Sequence, residues 1–243
     1  MSVYRVDLAY DGSGFHGYAK QRNVRTVQGE FEAALRNHVD PIETFVAGRT
    51  DRGVHATGQV VSFETDVVLD VDYVQRSLNR QLAPEVAVNG LAVAPDGFHA
   101  RFSATGRAYT YLILDQQVPD PFLAATSWHY GRPLALAPMQ RAADGFVGER
   151  DFASLCRRSG GRSTLRVVQS AGWRRARPGL LAFDVEASSF CHQMVRSMVA
   201  ICAEAGRGRL DPDMVSSILE AEDRRAGKGA APPHGLTLVR VDY

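Results

Sequence analysis

Twice along this chain the hydrophobic pattern runs strand, helix, strand, strand, helix, strand, and that order restricts the fold more than any other feature. "YRVDLAY" (4–10) alternates apolar and polar residues, as a half-buried strand does. Thr26 is placed to cap a helix through about residue 38, with Val27, Phe31, Ala34 and Leu35 on one face. Short strands are expected at about 43–48 and 59–64. A helix at about 70–81 carries Val71, Val74 and Leu78, and "VAVNGLAVA" (86–94) closes the first round as a strand.

The second round opens with "RAYTYLIL" (107–114) and continues with a helix from Pro138 to about 147. Strands at about 166–176 and 180–187 flank the turn Arg177-Pro178-Gly179, and a helix runs from near Phe190 to about 205. A short extra helix (about 211–222) and a loop rich in glycine and proline precede the last strand, "LTLVRVDY" (236–243). The pattern predicts an α+β fold of two ferredoxin-like halves, 1–105 and 106–243, whose antiparallel sheets join with helices on one face. A cleft between the halves would suit an elongated ligand.

No apolar run approaches the length that crosses a bilayer, and the N-terminus reads as a strand and not a signal peptide. A cytoplasmic protein is expected. Cys156, Cys191 and Cys202 show no Cys-x-x-Cys spacing, so reduced, mostly buried thiols are expected, with neither a disulfide framework nor a zinc site. His192 follows Cys191, but neighbours on a helix point in different directions and make a poor nucleophile pair. Net charge is only +1, yet every basic residue except Lys20 and Lys228 is arginine, the side chain that suits phosphate best. They cluster as Arg22/Arg25, Arg157/Arg158/Arg162/Arg166, Arg174/Arg175/Arg177, Arg207/Arg209 and Arg224/Arg225.

"DGSGFHG" (11–17) spells G-x-G-x-x-G directly after a strand. A dinucleotide site needs a helix that starts within the glycine loop and a parallel β-α-β unit. Here the helix waits for Thr26 and the topology is antiparallel, so the segment reads as a flexible loop and no nucleotide cofactor is expected. Chemistry points instead to "GRTDRGVHATGQVVSF" (48–63), where Asp51 stands between Arg49 and Arg52 on a glycine-bounded corner. Opposite charge keeps such a carboxylate ionised, which suits a nucleophile or a stabiliser of positive charge developing on a sugar. An ordinary turn salt bridge would use the same residues.

The longer pattern around Asp51, from Ala47 to Val60, resembles the catalytic motif of the TruA-type tRNA pseudouridine synthases. "YDGSGFHGY" with "RTVQGEFEAAL", "FHARFSATGRAYTY", "FCHQMVRSMV" and "PPHGLTLVRVDY" follow the family's order across essentially the whole chain. The resemblance implies a homodimeric isomerase that needs no cofactor or metal and converts uridine to pseudouridine at positions 38, 39 or 40 in the anticodon arm of tRNA. It implies that Asp51 is the essential aspartate and Tyr109 the base-stacking residue. Arg49 would assist uridine flipping, Arg196 would be the ion partner of the aspartate, and Leu236 would line the uracil pocket of an RNA-binding cleft. A uridine inside a stem must leave the stack before its glycosidic bond can meet a carboxylate, at a cost of a few kcal/mol. Acylal, Michaelis and glycal routes all remain open from the sequence.

Arg52 stands where the family usually has a small residue, and Tyr18-Ala19 replace its common Trp-Gln. One alternative is a tRNA-binding paralogue without chemistry. Another is a hydrolase pairing Asp51 with Glu64 or Asp66.

Overall fold

In β1 (Ser2–Tyr10) alternation sets the faces: Tyr4, Val6, Leu8 and Tyr10 are buried, while Arg5 and Asp7 turn to the other side. The structure is a computed structural model that describes residues 1–40, 42–157 and 163–243, so Arg158 and Arg162 of the second arginine cluster lie outside it. Two compact units are present, Met1–Thr105 with Thr237–Tyr243, and Gly106–Leu236.

After β1 the first unit contains α1 (Val27–Leu35), β2 (Thr44–Val46), β3 (His55–Thr65), α2 (Val71–Leu82) and β4 (Val86–Val93). All four strands pair antiparallel in the order β4-β1-β3-β2, the arrangement of a ferredoxin-like β-α-β-β-α-β unit. Thr26 caps α1 by accepting the Gly29 N–H at 3.2 Å, and Asp70 caps α2 by accepting the Tyr73 N–H at 3.0 Å. Each cap is worth about 1 kcal/mol. Gln28 and Glu32 of α1 hydrogen-bond Thr44 of β2, which pairs with Phe63; Phe63 stacks on Tyr4. The helix therefore covers the face that carries Tyr4 and Phe63. Phe45 and Arg5, one residue on in their strands, belong to the opposite face.

The second unit contains β5 (Gly106–Leu114), β6 (Trp128–His129), α3 (Leu136–Asp144), β7 (Gly148–Asp151), β8 (Leu165–Arg177), β9 (Leu180–Ala187), α4 (Met194–Gly206) and α5 (Val215–Glu220). Its antiparallel order is β5-β9-β8-β7, and β6 adds a short parallel pairing to β5. A last strand, β10, spans Leu236–Asp242. Its Thr237 and Leu238 pair in parallel with His55 and Ala56, so the end of the chain completes the first unit.

The structure departs from two expectations. Residues 190–193 are not helical: Gln193 adopts a left-handed conformation (φ 68°), and α4 begins only at Met194. Cys191, freed from the helix, is bonded to Cys156 in a disulfide with 5.7 Å between the Cα atoms, and only Cys202 is a free, buried thiol. Sequence spacing could not show this pair, because residues 35 apart meet only through the fold.

Candidate active site

The corner carrying Asp51 leads into β3 and is fixed mainly through its backbone. The Tyr18 N–H donates to the Thr50 carbonyl at 3.1 Å, and the Val54 N–H donates to the Asp51 carbonyl at 3.1 Å. The Gln59 amide donates to the Gly48 carbonyl at 2.7 Å and to the Tyr10 oxygen at 3.1 Å. Tyr10 and Thr50 share a further hydrogen bond of 2.9 Å between their hydroxyls. Burial pushes the Tyr10 phenol up to about 12, so it stays protonated and keeps its place in this network.

The glycines give the corner its shape. Gly53 has φ 76°, in the left-handed region that side chains rarely adopt. A Cβ on Gly12 would collide with the Val54 carbonyl, and one on Gly58 with the Val239 carbonyl of β10. "DGSGFHG" is therefore not a flexible loop. Gly12 and Phe15 are buried, and the Gly12 N–H donates to Nδ1 of His55 at 3.1 Å. The Asp11 carboxylate lies beside the same imidazole. Burial alone would raise the Asp11 carboxyl, but hydrogen bonds from Ser13 and the nearby His55 outweigh it and hold the group below its ordinary range. The sequence showed the glycines and His55 but not that they brace one another.

On this support Asp51 is half-buried, while Arg49 and Arg52 are exposed. A partly covered carboxylate flanked in sequence by two exposed arginines can approach a ribose while the arginines meet phosphate or an opened base stack.

The second unit holds the other expected residues. Tyr109 is buried on β5 and meets Phe190 edge-on at 5.1 Å. Arg196 lies in the first turn of α4; its Nε donates to the Ala231 carbonyl at 2.7 Å, and the Ala231 N–H returns a bond to the Arg196 carbonyl. The Tyr111 hydroxyl donates to the Pro232 carbonyl at 2.8 Å, and its ring leaves no room for a Cβ on Gly235. Burial raises the Tyr111 phenol far above its ordinary range, against the pull of the Arg196 cation. Leu236 is buried where β10 begins.

The alternative carboxylate pair does not form. Glu64 lies nine residues beyond His55 on β3, about 30 Å of strand from the end that carries Asp51. Asp66 is farther still and pairs with the N-terminal amine at 3.0 Å. A glycosidase pair needs about 5 to 9.5 Å. Several arginines singled out as phosphate candidates are also engaged: Arg25 bridges Glu30 and Glu85, and Arg174, Arg175 and Arg177 pair with Asp184, Asp115 and Asp120. Among the described residues no three His, Cys, Asp or Glu side chains gather as a metal-ligating group, and no helix is long and apolar enough to cross a membrane.

Comparison with known proteins matches residues 8–103 and 142–243 to the family described as tRNA pseudouridine synthase. The chain is 42% identical over 242 residues to "tRNA pseudouridine synthase A" of Frankia casuarinae, covering 98% of this chain and 88% of that one. It is 38% identical over 243 residues to the protein of the same name in Bacillus subtilis, covering 98% of each chain. A third such protein, from Pseudothermotoga lettingae, is 37% identical over 245 residues and the full length of both.

Proposed function

This chain belongs to the tRNA pseudouridine synthase family, an enzyme family that isomerises uridine in tRNA, and from that premise we propose that Asp51 is its catalytic nucleophile and that its targets are uridines 38, 39 or 40 of the anticodon arm. One observation carries the reading: Asp51 is half-buried on a corner shaped by Gly12, Gly53 and Gly58 and flanked by two exposed arginines. In the reaction the N1–C1′ bond breaks, uracil turns, and a C5–C1′ bond forms. C5 loses its proton as N1 gains one, so no atom is lost overall and no cofactor is consumed.

Arg49 would occupy the space left by the flipped uridine. Family resemblance assigns Tyr109 to stacking on the base, Arg196 to the role of charge partner for the aspartate, and Leu236 to a wall of the uracil pocket. A cytoplasmic homodimer is the form in which we expect the enzyme to act.

Tritium release from tRNA labelled at uridine C5 tests this reading, because all three routes share the loss of the C5 hydrogen. The wild type should release tritium without free uracil, and Asp51→Asn should bind tRNA while releasing none. Tyr109→Phe should keep stacking but slow turnover if its hydroxyl moves a proton. Release by Asp51→Asn at the wild-type rate would remove Asp51 from the chemistry. Binding without release by the wild type would favour a tRNA-binding paralogue.

A further inference from the structure

In "FHARFSATGRAYTY" (98–111), Phe102 stands in the open, 76% exposed. Its ring lies 4.4 Å from the His99 ring, which in turn lies 4.6 Å from Phe45. The Arg101 guanidinium sits 5.4 Å from the Phe102 ring centre. Three rings in series thus begin on β2 and end at an open aromatic beside a cation. On the same face, Arg5 lies 4.9 Å from the Tyr243 ring centre and 5.9 Å from that of Phe98.

The backbone under this column is pinned. Nδ1 of His99 accepts the Arg101 and Phe102 N–H groups at 3.1 and 3.3 Å. The His99 N–H donates to the Ser103 hydroxyl, and the Ser103 N–H donates back to the His99 carbonyl. The Ala100 N–H donates to Ser62 on β3 at 3.0 Å, and the Tyr243 hydroxyl donates to the Ala100 carbonyl at 2.8 Å. A large apolar side chain left in water on a loop held this firmly is presented ready for contact, with little ordering left to do on binding.

Its position narrows what it meets. Phe45 pairs with Ser62, and both belong to the face of the first unit opposite α1. From Ser62 back to His55, where the Asp51 corner enters β3, is seven residues, about 23 Å. That distance corresponds to roughly seven stacked nucleotides along one strand.

We propose that Phe102, backed by His99 and flanked by Arg101, is a second base-stacking subsite that takes an unpaired nucleobase of the RNA other than the target uridine. This rests on the reading that the substrate is tRNA. A π face accepts any base, and an adjacent guanidinium suits an RNA strand better than an apolar protein surface. The subsite supplies affinity, and Phe102 takes no part in bond breaking.

The test measures binding of unmodified tRNA transcript by wild type, Phe102→Leu, Phe102→Ala and Phe102→Trp over a range of salt, with tritium release at saturating tRNA and mass by light scattering. Leucine keeps bulk without a π face, so it and alanine should weaken binding roughly 5- to 150-fold, the equivalent of 1–3 kcal/mol of stacking. Tryptophan should bind as wild type, and the slope of affinity against salt should not change, because no phosphate contact is lost. Turnover at saturation should also be unchanged. Wild-type affinity in Phe102→Leu would overturn the proposal, as would a shallower salt slope. A fall in mass accompanying the lost affinity would also overturn it and make the platform a contact with a second copy of the chain. If wild type binds tRNA with this dependence on Phe102 but releases no tritium, the isomerase reading fails and the stacking subsite stands.

Discussion

Around Asp51 the first unit relies on backbone: carbonyls of Gly48, Thr50 and Asp51 accept hydrogen bonds, and Gly12 and Gly58 let neighbouring segments approach more closely than a Cβ permits. Around Arg196 the second unit relies on side chains and a covalent link, with Tyr111 filling space against Gly235 and the Cys156–Cys191 bond just ahead of α4. Catalytic loops need a shape that regular elements cannot supply, so glycines and hydrogen bonds define it. A residue on a helix inherits its direction from packing, so it is enough to fix where the helix starts.

The largest effect that would break this contrast is at the disulfide. Its closure over a separation of 35 residues corresponds to roughly 4 kcal/mol of lost chain entropy. Urea unfolding with and without reductant, and of Cys156→Ser, should show a loss of that order. Identical midpoints would leave α4 held by packing alone. Next, Gly12→Ala should cost about 3 kcal/mol through overpacking against the Val54 carbonyl. Tritium release should fall with it, and retained stability and activity would mean that the corner tolerates movement.

Glu32 sharpens the comparison through pH. Burial alone would raise its carboxyl, but Lys20, Gln28 and Thr44 together lower it below the ordinary value. A depressed carboxylate stabilises the fold fully above its unfolded pKa and loses that contribution as pH falls through the folded value. Because Lys20 is half-exposed, the effect should be only about 1 kcal/mol. Glu32→Gln should be less stable than wild type at pH 7, and the gap should narrow on acidification. A constant gap in urea melts from pH 7 to 3 would remove the pair from the acid response. Smallest of all, Tyr18→Phe should raise stability by up to about 1 kcal/mol, since the buried Tyr18 hydroxyl has no hydrogen-bond partner among the described residues. Activity should be unchanged, because what Tyr18 gives the corner is its backbone N–H. A drop in tritium release would show that the hydroxyl matters.

The long elements were legible because their periods are strong. Thr26 marked the start of α1, and alternation in 4–10 and 107–114 marked β1 and β5. One short edge strand was not legible: "GERD" (148–151) has no alternating apolar residues and is a strand only because Val168 and its neighbours pair with it. The start of α4 was misplaced because Gln193 takes a left-handed conformation that no propensity announces. At the site the residue types were readable, but their supports were not. Glycine in "DGSGFHG" suggested looseness when its actual use is close approach to Val54. Arginine clusters suggested RNA contacts, but the carboxylates that Arg174, Arg175 and Arg177 engage become neighbours only through the fold.

The parallel pairing of Thr237 and Leu238 with β3 also has a consequence for how this enzyme is made. The strand against which Gly58 closes is delivered only after the ribosome has produced the whole intervening unit, Gly106–Leu236. At ordinary elongation rates that is on the order of ten seconds after the Asp51 corner has left the exit tunnel. Through that interval the nascent corner lacks one of its walls, and a chain cut short by premature termination leaves it unfinished. On the proposed role of Asp51, catalytic competence is thereby tied to completed translation.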